Sequence, residues 1–451
     1  MIQKHIVIVG GGTAGWMTAA ALANQFNSDE IKITLIESES IGTVGVGEAT
    51  IPHLRYFNQR LGIDEREFVR ATNATYKLGI ELVNWSAQPG SYIHPFGDFG
   101  EKLGSDEFYL GWLAHKRHYA SADFSKCSTA VVAAKKHKFD YPKAQSEDWQ
   151  GYSYAFHFDA LLYAHYLRAY AERKGVIRRE GVIKSVDFEQ GESLTGDMFM
   201  DCSGFRSLLL TGALKVAFDD WSEWLICDRA IAVPSQSDQQ FRPYTQAEAM
   251  SCGWRWEIPL VNRTGNGLVY SSAHMSDDNA CAYLKSKIIG DTLAEPNFIR
   301  FKAGRREHCW ARNCVAIGLA SGFLEPLEST SIYLIQLGIM KFLELYSPHS
   351  NNIGARQEFN AVMGLEYERM RDFVILHYFA AQRIDSDFWR YCASMSLPAS
   401  LQERLDIYRA TGLIDQYDLG LFKTPSWASV LIGQHYFPDE LLRRVAHLDK
   451  N

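Results

Sequence analysis

Three sets of residues in this chain have types and spacings that could do chemistry. Gly10, Gly12 and Gly15, with Thr13 and Ala14 between them, fit the spacing G-x-G-x-x-G. In that pattern the first glycine makes a turn, the second lets backbone approach a pyrophosphate, and the third allows close helix–strand packing. Lys77 is the one cation in the apolar stretch Tyr76-Lys77-Leu78-Gly79-Ile80, and a partly buried lysine can become a reactive amine. Glu328-Ser329-Thr330 stands just before the apolar periodic stretch Ile332–Tyr346. Ser329 or Thr330 is a natural N-cap there, and uncommitted N–H groups at a helix start attract a small anion. Taken singly, each has a plainer alternative: a tight βα turn, a surface lysine with its amine in water, and a cap with no further role.

The elements around these residues argue for more. Ile6-Val7-Ile8-Val9 is a short apolar run rich in β-branched residues, as expected of a strand buried on both faces of a parallel sheet. After the glycines a helix is expected from Trp16 to about Phe26, then a second strand, Ile31–Glu37. Glu37 closes that strand, where a carboxylate can accept both hydroxyls of a ribose. The order strand, glycine turn, helix, strand, acid is the signature of a dinucleotide site.

Gly42-Thr43-Val44-Gly45-Val46-Gly47-Glu48-Ala49 holds too many glycines for a helix or strand, and reads as an apolar loop lying against the cofactor. Residues 86–150, rich in Gly, Pro, His and aromatics, read as an irregular insertion. His157-Phe158-Asp159 opens an amphipathic helix over Ala160 to about Lys174, stopped by Gly175. Met198–Asp201 is a strand ending in an acid before a Gly turn, a common second approach to a cofactor; Asn313–Gly318 is another buried strand ending in glycine. Residues 228–272 alternate as an antiparallel sheet does, and Trp254-x-Trp256 puts both indoles on one face of a strand. Ordinary core packing would also account for those indoles. From Ile332 onward the pattern is mainly helical.

The chain of 451 residues, 47% hydrophobic, is long enough for two or three modules. A formal net charge of −7 without a basic block argues against nucleic acid as a partner. No apolar run approaches the roughly 18 residues of a membrane span, and Ile6–Val9 leads into glycines, not a cleavage site. A soluble cytoplasmic protein is expected. The 8 cysteines are scattered without a Cys-x-x-Cys pair and read as thiols, with no metal site expected. The 11 Trp, 22 Tyr and 25 Phe are compatible with a site for a flat apolar ligand. There is one glycine fingerprint, so reducing equivalents are expected to arrive from outside.

Together these motifs resemble the flavin-dependent halogenases of the tryptophan-halogenase type. The matches run in family order: Gly10-Gly11-Gly12-Thr13-Ala14-Gly15-Trp16, then Gly45-Val46-Gly47-Glu48-Ala49-Thr50-Ile51-Pro52, then Lys77 within Tyr76-Lys77-Leu78-Gly79. They continue with His94-Pro95-Phe96-Gly97, Asp201-Cys202-Ser203-Gly204, Trp254-x-Trp256-x-Ile258-Pro259 and Glu325-Pro326-Leu327-Glu328-Ser329-Thr330. The Trp-x-Trp-x-Ile-Pro element is the most specific, since related flavin hydroxylases lack it.

The resemblance implies that FAD arrives reduced from a separate NAD(P)H-dependent flavin reductase, and that oxygen and halide, bromide or chloride, then yield hypohalous acid. Lys77 would hold that oxidant or form a haloamine, and an electron-rich, indole-like ring would be halogenated. Glu328 would polarise the oxidant or stabilise the ring cation as its proton leaves. Thr330 and Ser331 would lend N–H groups to the halide. Trp254 and Trp256 would keep organic substrate from the flavin. FAD would be held by Gly10, Gly12, Thr13, Ala14, Gly15, Glu37, Gly47, Glu48, Ala49, Asp201 and Gly318. His94, Phe96 and Trp427 match aromatic substrate clamps, and Ser329 would be a further substrate contact. Two departures stand out: Ser331 occupies a position where many tryptophan halogenases have Gly, and the chain is shorter in its C-terminal substrate region.

The expected fold is α/β: a Rossmann-like FAD-binding module of the flavin-monooxygenase type with a mainly helical substrate-binding cap. Residues 1–85 and 151–330 would form the FAD module, the latter with an antiparallel sheet. Residues 86–150 would be an insertion at the substrate site, and 331–451 the helical substrate region, in a monomer or homodimer. A flavin hydroxylase and a non-catalytic flavin carrier or sensor are the alternatives.

Overall fold

A computed structural model describes residues 3–41, 48–104, 106–119, 121–142, 151–183, 194–237, 239–415 and 420–442. The chain divides into two units. The first comprises residues 1–74, 158–223 and 300–367; the second comprises 75–157, 224–299 and 368–451.

The first unit is built on a six-stranded sheet. Its strand order is Trp310–Ala311, Cys314–Ala316, Met198–Asp201, Lys4–Val9 (β1), Ile31–Glu37 (β2) and Ile177–Glu180. All neighbours are parallel except the hairpin at Trp310–Ala311. Because a parallel sheet is covered on both faces, its central strands are apolar almost throughout. Ile6, Val7, Ile8 and Val9 are buried, and Val7 and Val9 form a core with Leu209, Leu210, Cys314 and Ala316. The helix α1 (Thr13–Gln25) follows β1 directly and starts earlier than the apolar pattern from Trp16 suggests. Its alanines let it pack closely against the helix Ala160–Arg173, and it also meets Ser331–Leu345. The carboxylate of Asp159 caps Ala160–Arg173, accepting from the N–H groups of Leu161 and Leu162.

In the second unit, six consecutive strands of a seven-stranded sheet run in the order Arg229–Gln236, Arg263–Tyr270, Gly253–Pro259, Thr245–Met250, Gly79–Val83 and Ser91–Pro95. Four of these are the antiparallel strands expected over 228–272. Gly79–Val83 joins them in parallel to Thr245–Met250, with Ile80 opposite Thr245, and Ser91–Pro95 pairs antiparallel to Gly79–Val83. That pairing groups the antiparallel sheet with residues 75–157, whereas the sequence boundaries place it with residues 151–330. The segment 86–150 is also more regular than an irregular insertion, with a strand at Ser91–Pro95 and helices at Phe108–His118 and Thr129–Lys135. Beyond residue 330 the elements are helices: Ser331–Leu345, Ile353–Ala380, Asp387–Ser394, Ala399–Thr411 and Thr424–Gly433. Ser331–Leu345 belongs to the first unit, and the residues of Ile353–Ala380 divide between the two.

Candidate active site

The glycine turn of the first unit is formed as its spacing requires. Gly10 has φ +108°, and a Cβ there would lie 2.3 Å from the Cys202 carbonyl oxygen. A Cβ on Gly15 would lie 1.9 Å from the Gly10 carbonyl oxygen, so α1 can start this close to β1 only with glycine. Gly12 caps α1 and offers no side-chain hydrogen bond to the first turn, so no side chain of the cap residue covers the N–H groups that face an incoming anion. Glu37 lies over the same turn, its Oε2 1.6 Å from where a Gly11 Cβ would stand. Its carboxylate accepts from Trp16 Nε1 at 3.2 Å and Arg178 Nε at 2.6 Å. Gly318, φ +69°, sits against Ala14 and Ile335, where an added Cβ would be 3.0 and 3.1 Å from their side chains.

Asp201 does something different from facing a ligand openly. It is fully buried, and its two oxygens accept from Ser203 N and Oγ and from the N–H groups of Leu209 and Leu210. It thereby shapes the turn that brings Cys202 against Gly10. Gly47 and the glycines before it lie outside the described residues, and Glu48–Ala49 is a short strand.

The acid and the expected anion site sit on one continuous bend. Pro326–Glu328 is a single 3₁₀ turn, and Ser329 follows in the left-handed region at φ +58°. This sparsely populated conformation for a residue with a Cβ turns the chain sharply from Glu328 into the helix Ser331–Leu345. Glu328, Ser329 and Thr330 are all buried. Thr330 is the cap residue by backbone, yet its side chain makes no cap bond, and its buried hydroxyl has no hydrogen-bond partner among the described residues. Ser331 begins the helix without a positive φ, so a serine there strains nothing that glycine would relieve.

In the second unit Lys77 ends the strand Thr75–Lys77, paired antiparallel with Ala155–Phe158. Alternation along this strand separates its side chains. Tyr76 stacks on Phe139, with ring centroids 4.1 Å apart, in a cluster with Tyr141, Tyr154 and Phe156. Lys77 has 0% exposure, and its Nζ lies 5.2 Å from the centroid of Phe96. Phe96 is held beside it because its N–H donates to the Leu78 carbonyl at 2.8 Å. Across the strand pair His157 faces Thr75, its Nδ1 3.0 Å from Thr75 Oγ1 and its Nε2 3.0 Å from Thr245 Oγ1. Burial, then the charges of Lys77 and Arg242, push the His157 pKa well below the usual histidine range. His157 therefore stays neutral, a neighbour of Lys77 that spacing alone does not single out.

The two indoles expected on one face are together: Trp254 and Trp256 have centroids 5.9 Å apart, and the Trp256 ring lies where a Cβ on Gly267 would be. His94 and Trp427 both reach a common ring, Phe373, at centroid distances of 5.7 and 5.5 Å. A fourth ring, Phe422, stacks on Phe373 at 3.9 Å. Neither phenylalanine is marked in the sequence. Phe373 lies mid-helix in an apolar run, and the only hint of Phe422 is its place shortly before Trp427.

A family model described as "Tryptophan halogenase" matches residues 5–450. The chain belongs to the tryptophan halogenase family. Among curated relatives, the 7-chloro-L-tryptophan 6-halogenase KtzR of Kutzneria sp. (strain 744) is 36% identical, the match covering 90% of this chain and 84% of that protein. Among solved structures, BrvH, a flavin-dependent halogenase from Brevundimonas sp. BAL3, is 42% identical with a TM-score of 0.93, covering 99% of this chain and 94% of that one. A flavin-dependent halogenase from Xanthomonas campestris is also 42% identical, with a TM-score of 0.92, covering 99% and 91%. This tryptophan halogenase family member is thus a flavin-dependent oxidoreductase, and the family implies FAD as cofactor and a halide as co-substrate. The glycine turn, the start of α1 without a side-chain cap bond and Glu37 fit the pyrophosphate and ribose of such a cofactor. No helix among the described residues is long and apolar enough to cross a membrane.

Proposed function

We propose that the protein halogenates an electron-rich, uncharged, indole-like arene, using bromide or chloride, with reduced FAD supplied by a separate NAD(P)H-dependent flavin reductase. The observation that carries this reading is Lys77, fully buried with its amine against the Phe96 ring. A lysine withdrawn from water with an aromatic face beside it suits an amine that must hold an electrophilic halogen donor and pass it only to a ring.

FAD, when bound, supplies the two-electron reduction of oxygen that makes halide oxidation possible. In this reading α1 receives the pyrophosphate at its N-terminus and Glu37 the ribose hydroxyls, with Gly318 and Ala14 keeping the approach close. The N–H groups that open Ser331–Leu345, with the Thr330 hydroxyl, hold a halide ion. Trp254 and Trp256 exclude organic substrate from the flavin, which favours attack by a small anion over hydroxylation. Lys77 Nζ donates a hydrogen bond to hypohalous acid or, as a neutral amine, takes the halogen from its oxygen with loss of water, and Phe96 and His94 present the arene. Glu328 polarises the oxidant or stabilises the cationic ring intermediate, and accepts the proton that the ring loses.

Mass spectrometry of an arene panel incubated with enzyme, FAD, a generic flavin reductase, NADH and either bromide or chloride tests this reading. It expects halogenated arene that depends on added halide. Oxygenated arene formed equally without halide would replace the halogenase with a hydroxylase.

A further inference from the structure

The four rings His94, Phe373, Phe422 and Trp427 are held very differently. His94 is on the strand Ser91–Pro95, Phe373 on the helix Ile353–Ala380 and Trp427 on the helix Thr424–Gly433, and these three are 4%, 0% and 3% exposed. They are also tied to one another through the backbone around them. Ser429 Oγ donates to the Ile93 carbonyl at 3.2 Å, fixing the Trp427 helix on the His94 strand. Gln434 Nε2 donates to the Tyr92 hydroxyl and to the His377 carbonyl, and His377 Nδ1 lies 2.7 Å from the Phe373 carbonyl oxygen.

Phe422 is placed differently. It is partly exposed, lies outside any helix or strand, and follows Gly420, whose φ is +125°. Its ring nevertheless lies nearly parallel to Phe373, 3.9 Å between centroids and 21° between planes, and 6.2 Å from the His94 ring. A near-cofacial pair of two like phenyl rings is the less favoured aromatic arrangement, offset or edge-to-face contacts being preferred. Of the four rings, Phe422 is therefore the one whose removal disturbs least of the protein.

We propose that Phe422, stacked on Phe373 within the His94–Trp427 cluster, stands where a substrate ring would stack and sets the size of arene accepted. The ligand class is a flat, uncharged arene. A one- or two-ring compound is accommodated by displacing the phenyl, and a three-ring compound is disfavoured by it. This rests on the reading of His94 and Trp427 as substrate contacts. It adds that Phe373 is the stacking platform and that Phe422 is the residue that discriminates by size.

Calorimetric titration separates this idea from the halogenase reading, because it needs no turnover. Resorcinol, indole and carbazole would be titrated into the FAD-bound wild type and into Phe422→Ala, Phe422→Leu and Phe422→Trp. Deleting the phenyl should improve carbazole affinity relative to resorcinol by about tenfold, the scale of shape discrimination in an apolar pocket. Phe422→Trp should shift the ratio the other way, and Phe422→Leu covers the case in which the alanine variant misfolds. A carbazole-to-resorcinol ratio that stays within about twofold of wild type across the folded variants would overturn the assignment. If the ratio shifts as expected while no arene is halogenated, Phe422 keeps its role and the proposed reaction is what fails.

Discussion

The indole N–H of Trp16 donates to Glu37 across the glycine turn, at 3.2 Å. Trp16 follows the glycine fingerprint directly and is 1% exposed, while Arg178 holds the other oxygen of the same carboxylate at 2.6 Å. The acid read as the ribose acceptor is thus oriented from both sides before any cofactor arrives. Trp16→Phe keeps a smaller aromatic ring there and removes the donor. A hydrogen bond of this kind contributes about 0.5–1.5 kcal/mol, so FAD affinity should fall roughly twofold to tenfold, measured by quenching of flavin fluorescence on binding. An unchanged affinity would mean that Glu37 does not need the indole.

Glu328 sits buried at the end of its 3₁₀ turn, immediately before the left-handed Ser329. Glu328→Gln preserves shape and removes the proton acceptor. Product formation should fall by about two orders of magnitude, the scale for a positioned acid–base group. Oxidation of reduced FAD, followed by stopped-flow absorbance, should continue near the wild-type rate. A parallel loss of both rates would place Glu328 at the flavin step or in folding.

His157 makes acid the weak side of the second unit. Its folded pKa is held well below 6.5 by burial and by Lys77 and Arg242, so below about pH 6.5 the unfolded chain binds a proton that the folded chain does not. Stability should therefore decline as pH falls through that point, by up to about 1.4 kcal/mol per pH unit from this group, until the folded pKa is reached. His157→Gln can still bond Thr75 and Thr245 and does not titrate. The gap between urea midpoints of the two proteins should move in the variant's favour from pH 7 to pH 5. A gap independent of pH would contradict the neutral assignment.

How much of this is readable from sequence depends on whether the signal is local. The β1 strand, the glycine turn, the helix Ala160–Arg173 and the strands over 228–272 are legible because their periodicity and punctuation lie within short windows. The division into units is not, because it depends on Gly79–Val83 finding Thr245–Met250 far along the chain. Lys77 is conspicuous as a cation in an apolar stretch, whereas its neighbour His157 arrives through strand pairing and reads in sequence only as the start of a helix. Phe373 and Phe422 are two phenylalanines among 25, and only the packing of a helix and a loop on Ser91–Pro95 joins them to His94.

The aromatic cluster bears on substrate choice. Face-on and edge-on ring contacts add about 0.5–1.5 kcal/mol each beyond area burial, while unpaired charges of a zwitterion buried beside them would cost more. Equal concentrations of indole and tryptophan, competed in bromide and in chloride, should give mainly halogenated indole, with bromide serving at least as well as chloride. Preferential halogenation of tryptophan in chloride would mean that the C-terminal helices grip an amino-acid backbone.

Lys77 is where the account is most exposed. Lys77→Ala should still bind FAD and let its reduced form be oxidised by oxygen, yet give no halogenated arene. Lys77→Arg should fail as well, since a guanidinium keeps the charge but is bulkier and does not readily form a haloamine. The deciding measurement is halogenated product per reduced FAD oxidised, by mass spectrometry and flavin absorbance on the same reaction. The account predicts a yield near zero for both variants with flavin oxidation continuing, and substantial product from Lys77→Ala would contradict it.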